Sequence, residues 1–275
     1  MHQDEQQTLF ILSIDTEEEW DWDGPFPEAN FEVSNIFELP AFQAFCHSLG
    51  VKPTYFVDYA VIDNPQSCQI LQRFNKQHCE FAAHLHPWAN PPYFEKTNEL
   101  LSHVVNIPIE QTKQKLASLI DKMQTTLEVK PTAFRTGRWG INGEILDLLI
   151  SNEFCVDSSV YPLYKNEHFD CLKAPPFPYY PNNSDPSAET EHSAILEIPV
   201  TCDFNIKNSM FANKIHSRMQ YPPFNWFKAN GILWHTGVLK KLYLSPELCN
   251  TKDMCQLIDI AINKKLPVLH MYMHS

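Results

Sequence analysis

No uninterrupted apolar stretch in this chain approaches the ~20 residues that a membrane-crossing helix needs. The N-terminus, MHQDEQQ, lacks a basic n-region. The apolar run behind it is short and turns quickly to acid, so no signal peptide is expected and the cytoplasm is the expected location. Positive charge is scarce: 21 Lys and Arg stand against 33 Asp and Glu, a net charge of −12. That excludes the basic footprint of a nucleic-acid binder. The eight cysteines include no C-x-x-C pair, which argues against a cysteine zinc site and for reduced, partly buried thiols. Glycine is sparse, 7 against 21 prolines, so the long connections read as ordered excursions rather than flexible linkers. No internal repeat is present.

The most organised stretch is Leu9–Gly24, LFILSIDTEEEWDWDG. An apolar run from Leu9 to Ile14 stops at acid. This is the pattern of a buried parallel strand whose C-terminal end opens on a site. In α/β sheets and barrels that end is where ligands bind. Alternate side chains of an extended strand share a face, which points Asp15 and Glu17 the same way. Glu18, Glu19 and Asp21 read as loop charge.

Further along, Pro40–Leu49 reads as a helix, Lys52–Asp58 as a strand, Gln66–Lys76 as a helix and Cys79–His86 as a strand. The pattern repeats with helix Glu110–Leu127, strand Pro131–Arg135, helix Glu144–Ser151 and strand Phe154–Asp157. Alternating strands and helices define an α/β protein with a parallel sheet. Polar residues recur at the strand ends: Asp15, Asp58, His84, Arg135 and Asp157. Such convergence on one rim suits a barrel. Residues 161–194, rich in Pro, Tyr, Asn and Ser, form a long loop insertion with room for a short hairpin. Ile195–Val200 returns as a strand, Phe204–Trp234 gives no clear pattern, and Pro246–Lys264 is a helix. Leu266–Met273 is a final strand, after which the chain stops abruptly, as if the natural product continued. The length, 275 residues, suits one domain over the whole chain.

His84 and His86 lie on one strand face. With one carboxylate they make a three-ligand divalent metal site with an open position for water. Arg135 follows a strand and can hold a rim carboxylate ionised, or make a structural salt bridge. Gly137 and Gly140 allow a tight turn there. Asp157-Ser158-Ser159 reads as a cap or a rim hydrogen-bonding group. If the last strand lies beside the first, His274 falls near Asp15 as an acid–base pair, with His270, deeper in the same strand, as its competitor. Trp20, Trp22, Trp88 and Trp139 are candidates to offer flat faces to a bound ligand, against the default of core packing.

The segments SIDTEEEWDW, KPTYFVDYAV, AAHLHPWANPP, FRTGRWG, VDSSVYP, LEIPV and LYLSPE…LPVLHMYMHS, in this order, resemble the polysaccharide deacetylases with a NodB-homology domain, carbohydrate esterase family four. Within it they are most similar to the WalW-like lipopolysaccharide-biosynthesis subgroup. The resemblance spans nearly the whole chain. It implies a distorted (β/α) barrel with fewer than eight strands, and removal of acetyl from an N-acetylated sugar or glycan precursor. It implies Asp15 as catalytic base, Arg135 as the residue positioning it and His274 as general acid. The family's second motif aspartate, a metal ligand, is replaced by Thr16, and its second histidine is displaced, with Trp88 near that slot. Glu17 and His86 are the expected substitutes, giving Glu17, His84 and His86 around a divalent metal, zinc first; Asp15 is the alternative ligand. Asp157 joins the four tryptophans on the substrate side. Two rival functions stand beside this one: a glycan-binding protein on a decayed deacetylase scaffold, and a non-sugar amide hydrolase of the same superfamily.

Overall fold

The computed structural model describes residues 7–21, 24–223, 226 and 229–275. The opening apolar run forms β1 (Leu9–Thr16), buried from Leu12 onward. There follow α1 (Leu39–Ser48), β2 (Thr54–Val57), α2 (Tyr59–Asp63), α3 (Pro65–Gln72), β3 (Glu80–Leu85), α4 (Ile109–Leu127), β4 (Ala133–Thr136), α5 (Gly143–Ser151) and β5 (Val156–Asp157). The second half holds β6 (Pro181–Asn182), β7 (Asp185–Glu189), β8 (Leu196–Glu197), β9 (Cys202–Phe204), α6 (Ser209–Arg218), α7 (Ala229–His235), β10 (Lys241–Tyr243), α8 (Thr251–Asn263) and β11 (Val268–His274).

Local chemistry fixes several of these boundaries. Asp58 ends β2 and caps α2, its Oδ1 accepting from Val61 N at 2.9 Å. Asn64 caps α3, with Pro65 in the first turn where its missing N–H costs nothing. In α4, Leu116, Leu119, Met123 and Leu127 recur at helical spacing on the buried face. Its C-cap, Glu128, is left-handed at φ 54°.

Seven strands pair in the order β11-β1-β2-β3-β4-β5-β8, every pair parallel. The sheet curls into the expected distorted (β/α) barrel of the NodB type. Both faces of such a sheet are covered, which is why its strands are continuous apolar runs. Ile14, Tyr55, Phe81, Leu85 and Phe134 pack against Leu116, Leu119 and Leu149 in the main core. The last strand does lie beside the first, with Asp15 opposite His274 in register. Among the described residues, irregular backbone rather than an eighth strand joins the two edges. Thr201 N donates to His270 O at 3.0 Å, and His270 N donates to Thr201 Oγ1 at 2.8 Å.

The insertion over 161–194 contains the β6–β7 hairpin. The stretch without a readable pattern contains α6 and α7, carried between the antiparallel strands β9 and β10. All eight cysteines are free thiols. Among the described residues no helix is long and apolar enough to cross a membrane.

Candidate functional site

The C-terminal ends of β1, β3, β4 and β11 open into a cleft of about 590 Å³ whose lining includes Asp15, Glu17, His84, His86, Trp139 and His274. Because β1 runs straight into Glu17, the two-residue period aims Asp15 and Glu17 into the cleft together. Thr16 between them is fully buried, and its Oγ1 donates back to Ile14 O at 3.1 Å.

Glu17 Oε2 lies 3.1 Å from His84 Nε2 and 3.2 Å from His86 Nε2. Each imidazole is oriented from behind by an acceptor. His84 Nδ1 donates to Arg135 O at 3.1 Å, and His86 Nδ1 donates to the Glu18 carboxylate at 3.1 Å. With both Nδ1 atoms protonated, both Nε2 lone pairs face the Glu17 oxygen. Three acceptors so close together require a positive charge among them, supplied by a proton or a cation. Without a cation, His86 takes the proton. Burial opposes its charge, but Glu18 and Glu17 outweigh burial and hold it well above its ordinary range. Burial likewise pushes the Glu17 carboxyl up, and the facing His86 and His84 more than reverse this, leaving it below the usual carboxylate range.

The donor set suits a small divalent cation. Bond lengths of ~2.0–2.2 Å in a tetrahedral site place neighbouring ligand atoms roughly 3.3–3.6 Å apart, slightly wider than the two Glu17–histidine separations found. The two imidazole planes are inclined by 58°, and both Nε2 atoms close on the one Glu17 oxygen. A second group, Glu99, His103 and His168, lines the same cleft but is looser. Its imidazoles stack at 4.0 Å and 28°, His103 Nε2 lies 3.8 Å from Glu99 Oε1, and Glu99 is exposed. A third, Glu18, Asp58 and His86, is a hydrogen-bonded support. Burial and the neighbouring Glu18 raise the Asp58 carboxyl well above its ordinary range.

Glu18 is not loop charge. It is 2% exposed, receiving hydrogen bonds from His86 Nδ1 and Trp88 Nε1. Its neighbour Glu17 faces the cleft while Glu18 faces inward, and the indole and imidazole donors make its burial tolerable.

Asp15 is held by a buried ion pair with Arg135. The guanidinium is fully buried and multiply anchored. Its Nε donates to Ser158 O at 3.0 Å, and its Nη2 donates to Ser13 Oγ at 2.9 Å and Ser158 Oγ at 3.0 Å. It stacks over Phe56 at 4.2 Å. Each of its three nitrogens has a partner, which is what makes a buried arginine tolerable.

Of the two candidate histidines on β11, only His274 reaches the cleft. Its Nδ1 pairs with Glu247 Oε2 at 2.7 Å and its Nε2 lies 3.8 Å from Glu17 Oε1. Burial disfavours its charge, but the Glu247 hydrogen bond and the nearby Glu17 and Asp15 raise it to about 9. His270 is buried against Ser13, with burial and Arg135 pushing it down to about 3. It is a neutral acceptor for the Ser13 hydroxyl.

The aromatic expectations divide. Trp139 lines the cleft, on a turn where Arg138, Trp139 and Gly140 all take positive φ, 62°, 64° and 83°. Trp88 is a correction: it is 2% exposed and packs with Trp20 and Phe26 behind His86. Trp20 belongs to that same packed group and does not line the cleft. Asp157 is also a correction. It is fully buried, accepts from Ser159 Oγ at 2.6 Å and, with burial, raises the neighbouring Glu197 carboxyl. Trp22 lies outside the described residues. The aromatic wall is instead mostly tyrosine: Tyr161, Tyr164, Tyr243 and Tyr272, with the Tyr161 and Tyr272 hydroxyls 2.7 Å apart. Sequence reading missed this wall, Glu18 and Glu247. Glu247 alone had a signal, the LYLSPE segment.

Searches of family models and of curated proteins find no match. Solved structures do match. A candidate glycoside hydrolase/deacetylase from Parabacteroides distasonis aligns with a TM-score of 0.51 and 12% identity, covering 71% of this chain and 45% of that one. A candidate polysaccharide deacetylase from Mycobacterium smegmatis aligns with a TM-score of 0.48 and 14% identity, covering 86% and 63%. The chain thus spans less than two thirds of the length of either protein. At these identities the likeness is one of fold.

Proposed function

We propose that this protein is a divalent-metal-dependent N-deacetylase acting on an acetylated amino sugar. The observation that carries the reading is the convergence of two Nε2 lone pairs and the Glu17 carboxylate beside the Asp15–Arg135 pair and His274. Glu17, His84 and His86 would hold the cation, zinc being the natural occupant of a His/His/carboxylate set. When bound, such a cation supplies Lewis acidity to a water and to an amide carbonyl.

The remaining work falls to this chain's own side chains. Asp15, kept in place by Arg135, accepts the proton of the attacking water. His274, charged at neutral pH and anchored by Glu247, delivers a proton to the departing amine. Trp139 and the tyrosine wall supply flat faces for a sugar ring. The resemblance to WalW-like proteins favours a lipopolysaccharide or other surface-polysaccharide precursor, met in the cytoplasm as a nucleotide- or lipid-linked sugar.

Acetate release from a panel of N-acetylated sugars, measured on metal-loaded protein, tests the proposal. Turnover should appear for at least one substrate and be lost in Asp15→Asn and in His274→Gln. The second variant lies at the cleft rim, so its loss cannot be blamed on unfolding. One observation favours a glycan-binding protein without catalysis: Thr16, turned inward where the resemblance expects a ligating carboxylate. Glycan binding with no acetate released across the panel would establish that reading instead.

A further inference from the structure

The acid of this chain is unevenly spread. From Phe204 to Pro246 the sequence carries Lys207, Lys214, Arg218, Lys228, Lys240 and Lys241 but no Asp or Glu, in a protein of net charge −12. This segment is the excursion between β9 and β10. Its inner side is an ordinary small core, with Ala212 and Ile215 of α6 and Leu233 of α7 packed on Phe204 and Leu163. Its outer side is not ordinary. Met210 and Phe211 on α6 are 53% and 56% exposed, Ile232 on α7 is 56% exposed, and Tyr221 and Trp226 between the helices are 61% and 74% exposed. Positions 210, 211, 214 and 218 share one face of α6 by helical spacing. That face therefore combines apolar side chains with exposed Lys214 and Arg218. The excursion is rooted in the cleft wall: Lys241 Nζ donates to Leu163 O at 2.8 Å and lies over the Tyr161 and Tyr243 rings.

The combination points to an interfacial surface. Exposed aromatic and aliphatic residues mixed with lysine and arginine, free of acid, are what an amphipathic helix presents to lipid. Tyr and Trp are the residue types that settle at headgroup level. A protein partner with an acidic patch would account for the cations but not for the exposed aromatic and aliphatic side chains. A second copy of this chain would set like-charged faces together.

The geometry points to the outer face of the α6–α7 excursion as a docking surface for an anionic lipid bilayer. Docking is peripheral: the apolar side chains enter the headgroup boundary, and Lys207 and Lys214 pair with lipid phosphates. The proposal does not depend on the hydrolase reading, and its test reads no activity.

The full-length protein is co-sedimented with vesicles of pure phosphatidylcholine and with vesicles containing phosphatidylglycerol, at low and at high salt. Binding should favour the anionic vesicles and weaken with salt. Phe211→Ser combined with Ile232→Ser should reduce it at least about tenfold. Lys207→Glu combined with Lys214→Glu should do the same, with unchanged thermal midpoints in both variants. Three outcomes overturn the assignment. They are wild-type protein left in the supernatant with anionic vesicles, equal binding to both lipid compositions, or binding that either double variant leaves intact. A concentration-dependent dimer that the Phe211→Ser/Ile232→Ser protein no longer forms, without vesicle binding, would assign the face to a second copy.

Discussion

Gly137 and the His86 imidazole compete for one volume. A Cβ added to Gly137 would sit within the ring's own contact distance, 2.8 Å from Nε2 and 2.8 Å from Leu85 O. Gly137 is anchored there by its N–H, which donates to Leu85 O at 3.0 Å. The glycine is thus a space requirement of the cluster rather than a matter of turn conformation.

Gly137→Ala should therefore displace His86 while leaving the barrel folded. Divalent-cation affinity should fall by about 10–100-fold, the usual scale for disturbing a ligand's support. Titration calorimetry with zinc checks this, and wild-type affinity would refute the competition for space.

Glu18→Gln should weaken the same affinity by about 10–100-fold, because an amide no longer holds the proton of His86 on Nδ1 as firmly as a carboxylate. Glu18→Ala goes further. It strands the buried Trp88 Nε1 and His86 Nδ1, at about 1–3 kcal/mol each, and chemical denaturation should show the difference between the two variants.

If His274 delivers the proton as proposed, the Glu247–His274 pair sets the alkaline side of a pH–rate profile. His274 acts as an acid only while protonated, so rate should fall as pH rises through about 9. In Glu247→Gln the main group raising the His274 value is gone, and the fall should move about one unit or more toward neutrality. An unmoved limb would mean that His274 does not supply the proton.

Burial and the adjacent Asp157 raise the Glu197 carboxyl well above its ordinary value, and the pair retains a proton in the folded state. The unfolded chain gives that proton up above a pH of about 4.3. Folding then takes up a proton, and stability falls as pH rises from there through the raised folded value, by up to about 1.4 kcal/mol per pH unit. Glu197→Gln replaces the shared proton with an amide donor, so its thermal midpoint should depend less on pH than the wild type's between pH 5 and 8.

Lys115 is buried beneath the loop that follows His86, and its Nζ donates to Pro87 O, Asn90 O and Pro92 O at 2.7–2.9 Å. Lys115→Met fills the space but leaves three carbonyls without a donor. A loss of about 3 kcal/mol or more is expected from denaturant unfolding.

The barrel was legible because buried parallel strands are apolar runs, and because each ends in a residue type that apolar strands exclude: Asp15, His84, Arg135. The face shared by Asp15 and Glu17 followed from the strand period alone. Glu18 was not legible, since nothing local distinguishes a buried carboxylate from a solvated one. Its partners, His86 Nδ1 and Trp88 Nε1, are brought to it only by the packing of β3 against the chain after β1. The same packing takes Trp20 and Trp88 out of the cleft. The tyrosine wall escaped notice because its members come from residues 161, 164, 243 and 272, which only the closing of β11 on β1 and the β9–β10 ribbon brings together. The α6–α7 excursion gave no readable pattern because its apolar residues lie on both sides, some inward on Phe204 and some outward.

Residue 135 serves the site twice, through different parts of itself. Its guanidinium holds Asp15, and its carbonyl sets the tautomer of His84. The carbonyl belongs to the backbone and survives any substitution. Protein chemistry at this one position therefore separates the two halves of the cleft. Replacing the side chain frees the Asp15 carboxylate, while the imidazole that faces Glu17 keeps its orientation.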